Sequence, residues 1–130
     1  MVVKTGVSLP EPLYQRLRET AESMGYASVS RAIRDAIELF VVYNSWWTAR
    51  AKLTGVILVL VDGEAVEHVF ENARQHYGCV SRLEMRMINN YVLFYVFVEG
   101  GVEEVKSLYT SLSKTRGVRV LQHAFITLPH

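Results

Sequence analysis

The sequence predicts an α+β protein built from two domains, residues 1–52 and 53–130. Residues 2–9 alternate between two kinds of side chain, which is the period of a strand with one buried face. Two helical patterns follow it, and the second half then runs in the order strand, helix, strand, strand, helix, strand. A chain of 130 residues with 50% hydrophobic side chains is long enough to bury a core. A disordered chain is therefore excluded.

The first strand has one apolar face and one polar face. Its outward face carries Lys4, Gly6 and Ser8. The opposite face carries Val3, Thr5, Val7 and Leu9. Pro10 and Pro12 end the strand and suit the first turn of a helix, where a missing N–H costs little.

Two helices follow the strand. The first has apolar residues at helical spacing from Leu13 to Met24 and a stop signal at Gly25. The second starts at Ser30, a good N-cap residue, and has an apolar stripe from Ala32 to Val41. Because no helix breaker follows, we expect it to continue to about Lys52.

The strand over residues 2–9 has no local antiparallel partner, and an unpaired strand is not stable. It must join a later sheet or pair with the same strand of a second molecule. Since the second half contains a complete sheet pattern, we expect pairing between two copies. A two-stranded ribbon of this kind fits the major groove of DNA.

Residues 1–52 resemble the ribbon-helix-helix repressors of bacteria and archaea. The resemblance rests on the alternating strand, the Gly25-Tyr26 turn and the Ser-Val-Ser-Arg-Ala-Ile-Arg-Asp opening of the second helix at 28–35. It implies that Lys4, Gly6 and Ser8 read base edges. It also implies that Ser28, Ser30 and Arg31 anchor a phosphate at the start of the second helix. A helix N-terminus favours an anion on physical grounds as well.

Simpler interpretations of these residues remain open. Ser30 could serve only as an N-cap, and Lys4 could be only a charge that protects a strand edge. Gly6 has no side chain with which to read a base, although it could allow the backbone to approach DNA closely.

The second half predicts a sheet covered by helices. A continuous apolar run at 56–61 indicates a strand buried on both faces, and 63–77 has a helical stripe. The strands 80–88 and 91–98 flank Asn89-Asn90, a turn signal, so they form a hairpin. A helix opened by Gly100-Gly101 and ended by Gly117 leads to the last strand, 118–127. This βαββαβ order is ferredoxin-like, with both helices on one face of the sheet.

The other face of this predicted sheet is not covered by any predicted helix. Residues 91–98 are apolar at every position, so both faces of that strand require burial. A second copy of the domain is the expected cover. Together with the ribbon, this predicts a homodimer through the N-terminal strand and a homotetramer through the C-terminal domain.

Composition limits the function classes. A net charge of +1 gives no electrostatic signature of a nucleic-acid or membrane binder for the chain as a whole. One cysteine, Cys79, excludes a disulfide scaffold. The N-terminus has no signal-peptide pattern, and the longest apolar run is too short for a bilayer, so we expect a cytoplasmic protein without membrane contacts. The sequence also lacks catalytic motifs, and it is not expected to be an enzyme.

The two halves together resemble the nickel-responsive regulators, the NikR-like transcription factors with ribbon-helix-helix and ACT-like domains. The resemblance covers nearly the whole chain, including the Arg-Gly-Val-Arg segment at 116–119. It implies a tetramer around square-planar nickel sites. The ligands would be a His-x-His pair before the hairpin, a Cys after it, and a His from a neighbouring subunit's helix end.

The metal ligands of that family are altered here. The His-x-His positions read Glu84 and Arg86, and the Cys position reads Val92. His76 is the remaining candidate ligand, and one imidazole cannot make a square-planar site. Nickel is thus implied only by the resemblance, and the cofactor is unknown. Arg86 could act as a built-in cation that pairs with Glu84 or another carboxylate and holds the tetramer without metal. Alternatively, Glu84 and Arg86 could form an ordinary solvated pair.

The other His and Cys residues do not form a ligand set. His68, His123 and His130 have no ligand spacing with one another, which favours structural or solvent roles. Cys79 is close to His76 but lies at the start of a strand, and we expect it to be a small buried residue.

Two functions remain. The first is a DNA-binding transcriptional regulator of the NikR-like type with a degenerate or altered metal site. The alternative is a small-molecule or metal-sensing ACT-like module whose DNA binding is secondary or lost. The Gly100-Gly101 loop could lie near such a small ligand, or it could be a plain turn.

Overall fold

The computed structural model describes residues 1–129, which divide into two compact units. Unit 1 is Met1–Val42, and unit 2 begins at Tyr43. The sequence-based boundary lies ten residues later, between residues 52 and 53. The difference arises because Trp46 is buried within unit 2, at 3% exposure.

Unit 1 contains two helices, α1 (Glu11–Ser23) and most of α2 (Val29–Tyr43). The stop at Gly25 is confirmed, because Gly25 has a φ of 85° and ends α1 in a left-handed conformation. The N–H of Tyr26 donates to the carbonyl of Ala21, and the N–H of Gly25 donates to the carbonyl of Glu22. These two bonds form a Schellman motif, which satisfies carbonyls at the helix end.

Residues 1–10 precede α1 and carry neither helix nor strand. The predicted strand over residues 2–9 is therefore not formed in this single chain. A strand exists only with a hydrogen-bonded neighbour, and the sheet of the described residues consists of four strands from unit 2. Pairing between two copies stays a prediction.

The expectation that the second helix continues to about Lys52 is wrong. The helix α2 ends at Tyr43, and a short 3-10 helix follows at Ser45–Thr48. No glycine or proline marks this end. The chain turns because Trp46 packs into the core of unit 2, and tertiary burial overrides local helix propensity.

Unit 2 has the predicted βαββαβ order. Its elements are β1 (Lys52–Asp62), α3 (Val66–Gln75), β2 (Val80–Ile88), β3 (Tyr91–Gly101), α4 (Val102–Ser113) and β4 (Val118–Thr127). A 3-10 turn, Gly63–Ala65, precedes α3. The strands form one antiparallel sheet in the order β2-β3-β1-β4. The α+β class and the ferredoxin-like arrangement are confirmed.

The core of unit 2 lies between the sheet and its two helices. Alternate residues of the central strands point into it, and their side chains are fully buried. From β1 and β3 these are Leu53, Ile57, Val59, Val61, Phe94, Val96 and Val98. They pack against Val69 of α3 and Val105, Leu108 and Leu112 of α4. This alternation corrects the prediction that 56–61 is a strand equally buried on both faces.

The opposite side of the sheet, called here the outer face, carries the remaining residues of β1 and β3. They are half-buried in the chain: Val56, Leu58, Leu60, Leu93, Tyr95 and Phe97. Among residues 1–129, no helix is long and apolar enough to span a bilayer.

Two turns confirm local predictions. Asn89, between β2 and β3, has a φ of 55°, a conformation that asparagine tolerates better than most residues. Gly117, before β4, has a φ of 91°, and a Cβ at this position would lie 2.5 Å from the Cβ of Ala65. Only glycine satisfies both requirements there.

Candidate nucleic-acid interface and metal positions

The predicted base-reading residues, Lys4, Gly6 and Ser8, are exposed in the single chain. The predicted inward face is also largely uncovered, since Val3 and Val7 are 74% and 75% exposed. Residues 1–10 therefore expose both faces that one strand of a two-stranded ribbon would use.

A groove lies next to this segment within unit 1. It has a volume of about 470 Å³ and an almost entirely apolar lining. The lining residues are Thr5, Gly6, Val7, Leu9, Leu13, Leu17, Ile33, Ala36, Ile37 and Phe40. The N-terminal segment and both helices of unit 1 thus present a shared apolar surface.

The start of α2 differs from the prediction in one detail. The helix begins at Val29, and the Oγ of Ser28 accepts a hydrogen bond from the N–H of Arg31 at 3.2 Å. Ser28 is therefore the residue that caps the helix, and Ser30 lies within the first turn. The expectation of a helix that starts at Ser30 with Ser30 as N-cap is corrected.

The side chain of Arg31 is held along the helix. Its Nε lies 3.7 Å from Oδ1 of Asp35, one turn later. The hydroxyl of Tyr26 donates to Oδ2 of Asp35 at 2.5 Å, and this hydrogen bond raises the pKa of Tyr26. Tyr26 and Asp35 thereby join the turn after α1 to the first turns of α2. The exposed start of α2 therefore has a capping hydroxyl and a guanidinium within its first turn.

The altered metal positions are not brought together. Glu84 and Arg86 lie on the outer face of the sheet, because they pair with Tyr95 and Leu93 of that face. Val92 is opposite Met87 and points into the core, with 5% exposure. Val92 therefore cannot share a site with the other two.

Glu84 and Arg86 do not pair with each other within the chain. The carboxylate of Glu84 forms an ion pair with Arg82, two residues earlier on the same strand. The guanidinium of Arg82 also lies 5.3 Å from the centre of the Phe97 ring. Arg86 instead donates to the hydroxyl of Tyr95, with an N–O distance of 3.5 Å.

His76 has a partner at each ring nitrogen. Its Nδ1 lies 2.8 Å from the carbonyl oxygen of Asn72, and its Nε2 lies 3.1 Å from Oγ of Ser107 on α4. Because a carbonyl can only accept, Nδ1 carries the proton and Nε2 accepts from the serine. The ring bridges α3 and α4.

These residues do not fit a nickel site. Within residues 1–129, no group of three or more His, Cys, Asp or Glu side chains is placed to hold a metal ion. Arg86 is a cation, and Val92 has no donor atom. A square-planar site needs several converging nitrogen or sulfur ligands. His130, another histidine weighed as a ligand, lies outside the described residues.

Comparisons with known proteins agree over most of the chain. Residues 3–43 match the ribbon-helix-helix protein, copG family. A relative from Dictyoglomus turgidum, whose assigned name is nickel-responsive regulator, is 29% identical over 91% of this chain and 90% of its own length. A relative of the same assigned name from Pyrococcus furiosus is 29% identical over 91% and 88%.

Over most of its length, the chain is similar to proteins whose assigned name is nickel-responsive regulator. The assigned names of these relatives are those of regulators and not of enzymes. The ACT domain of a GTP pyrophosphokinase from Chlorobium tepidum covers 58% of the chain at 8% identity, with a TM-score of 0.49. All six predicted DNA-contact residues lie within the matched segment 3–43.

Sequence reasoning did not predict the polar contact made by one buried histidine of unit 2. His123 is buried in unit 2 among aromatic rings and accepts a hydrogen bond from Trp46. The signal that could have found it is the Trp46-Trp47 pair, because adjacent tryptophans at the end of a helix seldom both face water.

Proposed function

We propose that the chain is a DNA-binding transcriptional regulator that reads the major groove with a ribbon formed by residues 2–9 of two copies. The observation that carries the proposal is the match of residues 3–43 to the ribbon-helix-helix family. Lys4, Gly6 and Ser8 are the base-reading residues. Such a regulator acts in the cytoplasm, where it meets the chromosome, and repression is the mode that its family resemblance implies.

The apolar surface of unit 1 supports the homodimer. Ile37 is 58% exposed at the groove, and Leu13 is 49% exposed. Exposed apolar side chains that line one groove are typical of an interface between copies. A second copy would bury them and would give each strand its partner at the same time.

The start of α2 supports the phosphate anchor. The first N–H groups of a helix lack intrahelical partners, and the positive end of the helix dipole favours an anion. Ser28 and Ser30 supply hydroxyl groups at this end, and both are exposed. A phosphate beside Arg31 would also offset the unfavourable position of a cation in the first turn.

The test replaces two predicted readers, Lys4→Ala and Ser8→Ala, in one protein. Each lost base contact is worth about 1–3 kcal/mol, so affinity for a selected operator should fall about tenfold or more. Binding to random DNA measured against salt should keep a steep negative slope, reduced by about one phosphate contact at most. Fluorescence anisotropy with labelled duplexes measures both.

The control is Lys114→Ala, which removes an exposed lysine of unit 2. It should leave the affinity for the operator unchanged. If the double variant binds the operator as tightly as the natural chain, the ribbon assignment is wrong. Absence of any DNA binding by the natural chain would favour the alternative, a sensing module whose DNA binding is lost.

The proposal extends to a homotetramer through unit 2. The outer face has apolar side chains at its centre and the charged row Arg82, Glu84 and Arg86 at its β2 edge. A second copy would cover this face. Arg86 has no carboxylate partner among the ion pairs of residues 1–129, so it could pair with a carboxylate of another copy.

The variant Arg86→Ala tests the built-in cation. If Arg86 holds the tetramer without metal, light scattering should show dimers at concentrations where the natural chain is tetrameric. Lys114→Ala again serves as the control. A tetramer that is unchanged by Arg86→Ala would refute this role.

We further propose that regulation does not use the nickel site of the family. Native mass spectrometry should show no stoichiometric uptake when nickel is added to the purified chain. His76→Ala should lower the free energy of unfolding by about 1 kcal/mol, because it removes a hydrogen-bonded bridge between α3 and α4. Stoichiometric uptake that His76→Ala abolishes would contradict the proposal.

A further inference from the structure

Trp46 and His123 form a buried hydrogen-bonded pair in unit 2. Trp46 is 3% exposed and His123 is 7% exposed. The indole Nε1–H of Trp46 donates to Nε2 of His123 at 3.1 Å. This bond joins the 3-10 helix Ser45–Thr48 to β4 across 77 residues of sequence.

Tyr43 adds two further contacts to the same histidine. Its ring stacks on the His123 ring with 4.0 Å between the centres. The backbone N–H of His123 donates to the hydroxyl of Tyr43 at 3.1 Å. Because Tyr43 is the last residue of α2, His123 holds the segment that leads from this helix into the sheet.

The hydrogen bonds fix the protonation state of the ring. An indole N–H can only donate, so Nε2 of His123 must be the unprotonated nitrogen. The neutral ring then carries its proton on Nδ1, which is buried and has no partner within residues 1–129. A second proton would place an N–H on Nε2 directly against the N–H of Trp46.

Burial opposes this second proton, and it lowers the pKa of His123 below its ordinary value of 6.5. The carbonyl oxygen of Tyr43, 3.4 Å from Nε2, acts in the opposite direction, because it could accept from a protonated ring. Burial is the larger of the two effects.

The other groups that face His123 do not titrate near neutral pH. They are the phenols of Tyr43 and Tyr109 and the ring of Phe125. Phenols ionise far above neutral pH, and burial raises the pKa of Tyr109 further. Lys106 on α4 lies over the ring of Trp47 and not over His123.

We propose that His123 is a proton-operated latch for residues 43–48, which holds Tyr43 and Trp46 against β4 when it is neutral and releases them when it is protonated. The latch concerns how this segment is attached to unit 2. It does not depend on the proposed DNA contacts, and it gives the regulator a response to acid.

The direction of the effect follows from proton linkage. The released segment exposes a histidine of ordinary pKa, whereas the latched state has a lowered one. The latch is therefore strongest above pH 6.5 and weakens as the pH falls toward the lowered value. Between pH 7.5 and pH 5.5, the equilibrium constant for release should rise, by at most about tenfold for a released histidine of ordinary pKa.

Hydrogen exchange of the Trp46 indole N–H measures this release. Trp47→Phe leaves Trp46 as the sole indole, since the chain has two tryptophans. In this protein, the protection factor of the indole N–H, corrected for intrinsic exchange, should fall from pH 7.5 to pH 5.5, by up to about tenfold. Backbone amides of β1 and β3 should keep their protection over the same range.

Two variants in the Trp47→Phe background separate His123 from other groups. His68→Gln removes an exposed histidine of the same unit and should leave the pH dependence intact. His123→Phe keeps an aromatic ring and removes both the acceptor and the titration, so the pH dependence should disappear.

Three results would overturn the latch. They are protection that does not change with pH, pH dependence that survives His123→Phe, and protection that is lost from β1 and β3 in parallel. If His123→Phe does not fold, the imidazole nitrogen shifts of His123 decide in the Trp47→Phe protein. Their titration must follow the loss of indole protection, and a mismatch between the two refutes the latch.

Discussion

The two units of the molecule bury their apolar side chains to very different extents. Unit 2 has a closed core of fully buried residues such as Phe94, Ile57 and Leu108. Within Met1–Val42, the buried apolar residues are Ala21 and Ala32, which are small. Larger apolar residues of unit 1 such as Ile37 and Val7 are exposed. Unit 2 therefore has the packing of a self-sufficient domain, and unit 1 does not.

Chain length explains much of this difference. A segment of about 40 residues cannot bury enough surface to be stable by itself without an oligomer, a metal or disulfides. Unit 1 has no cysteine, and no metal cluster occurs in the described part of the chain. The difference between the units teaches that the proposed dimer would complete the folding of unit 1 as well as form the proposed ribbon.

The largest expected effect is Phe94→Ala in unit 2. The Phe94 ring is fully buried, and it meets the ring of Phe70 edge-on at 5.5 Å. Its removal should lower the free energy of unfolding of unit 2 by about 3–5 kcal/mol, since it leaves a cavity in a close-packed core. Urea denaturation followed by circular dichroism measures the loss. Tyr77→Ala is the control, because Tyr77 is 83% exposed and should cost little. A loss below about 1 kcal/mol for Phe94→Ala would contradict the closed core.

The next largest effect is expected for Ile37→Glu in unit 1, which should weaken the association of two copies of the chain. A carboxylate in the apolar groove would be desolvated by a second copy, so it should weaken the dimer and the binding of DNA about a hundredfold. The denaturation midpoint of unit 2 should not change. Analytical ultracentrifugation and anisotropy measure the two losses, with Glu38→Gln as an exposed control on the same helix. Unchanged association would show that the groove is not an interface.

Local rules predicted much of the fold. The bounds of β2 and β4 agree with the sequence pattern, and Gly25 ends α1 by the expected left-handed turn. Periodicity and turn chemistry depend on residues close together in the chain, so they can be recognised from the sequence. The end of α2 at Tyr43 was not predicted, because it depends on burial of Trp46 against β4, far away in the chain.

The candidate site was less predictable for the same reason. The family resemblance identified Glu84, Arg86 and Val92 as the altered positions, but it could not give the face on which each lies. That depends on the register of the hairpin, and one residue of register moves a side chain to the other face of a sheet. The pairing of Glu84 with Arg82 depends on neighbours along one face, which only coordinates show.

The smallest expected effect is a change in the alkylation rate of Cys79, which measures the opening of unit 2 alone. Its side chain is buried, and burial raises the pKa of the thiol, with a smaller contribution from the charge of Glu104. Since the thiolate is the reactive form, alkylation in the folded chain should be slow and should become faster as the pH rises toward this pKa. Mass spectrometry after iodoacetamide treatment measures the rate. Phe94→Ala should accelerate alkylation, because it makes opening of unit 2 more frequent, whereas Ile37→Glu should not. Equal acceleration by both variants would mean that the two units unfold together. Unit 2 would then not be stable independently of unit 1.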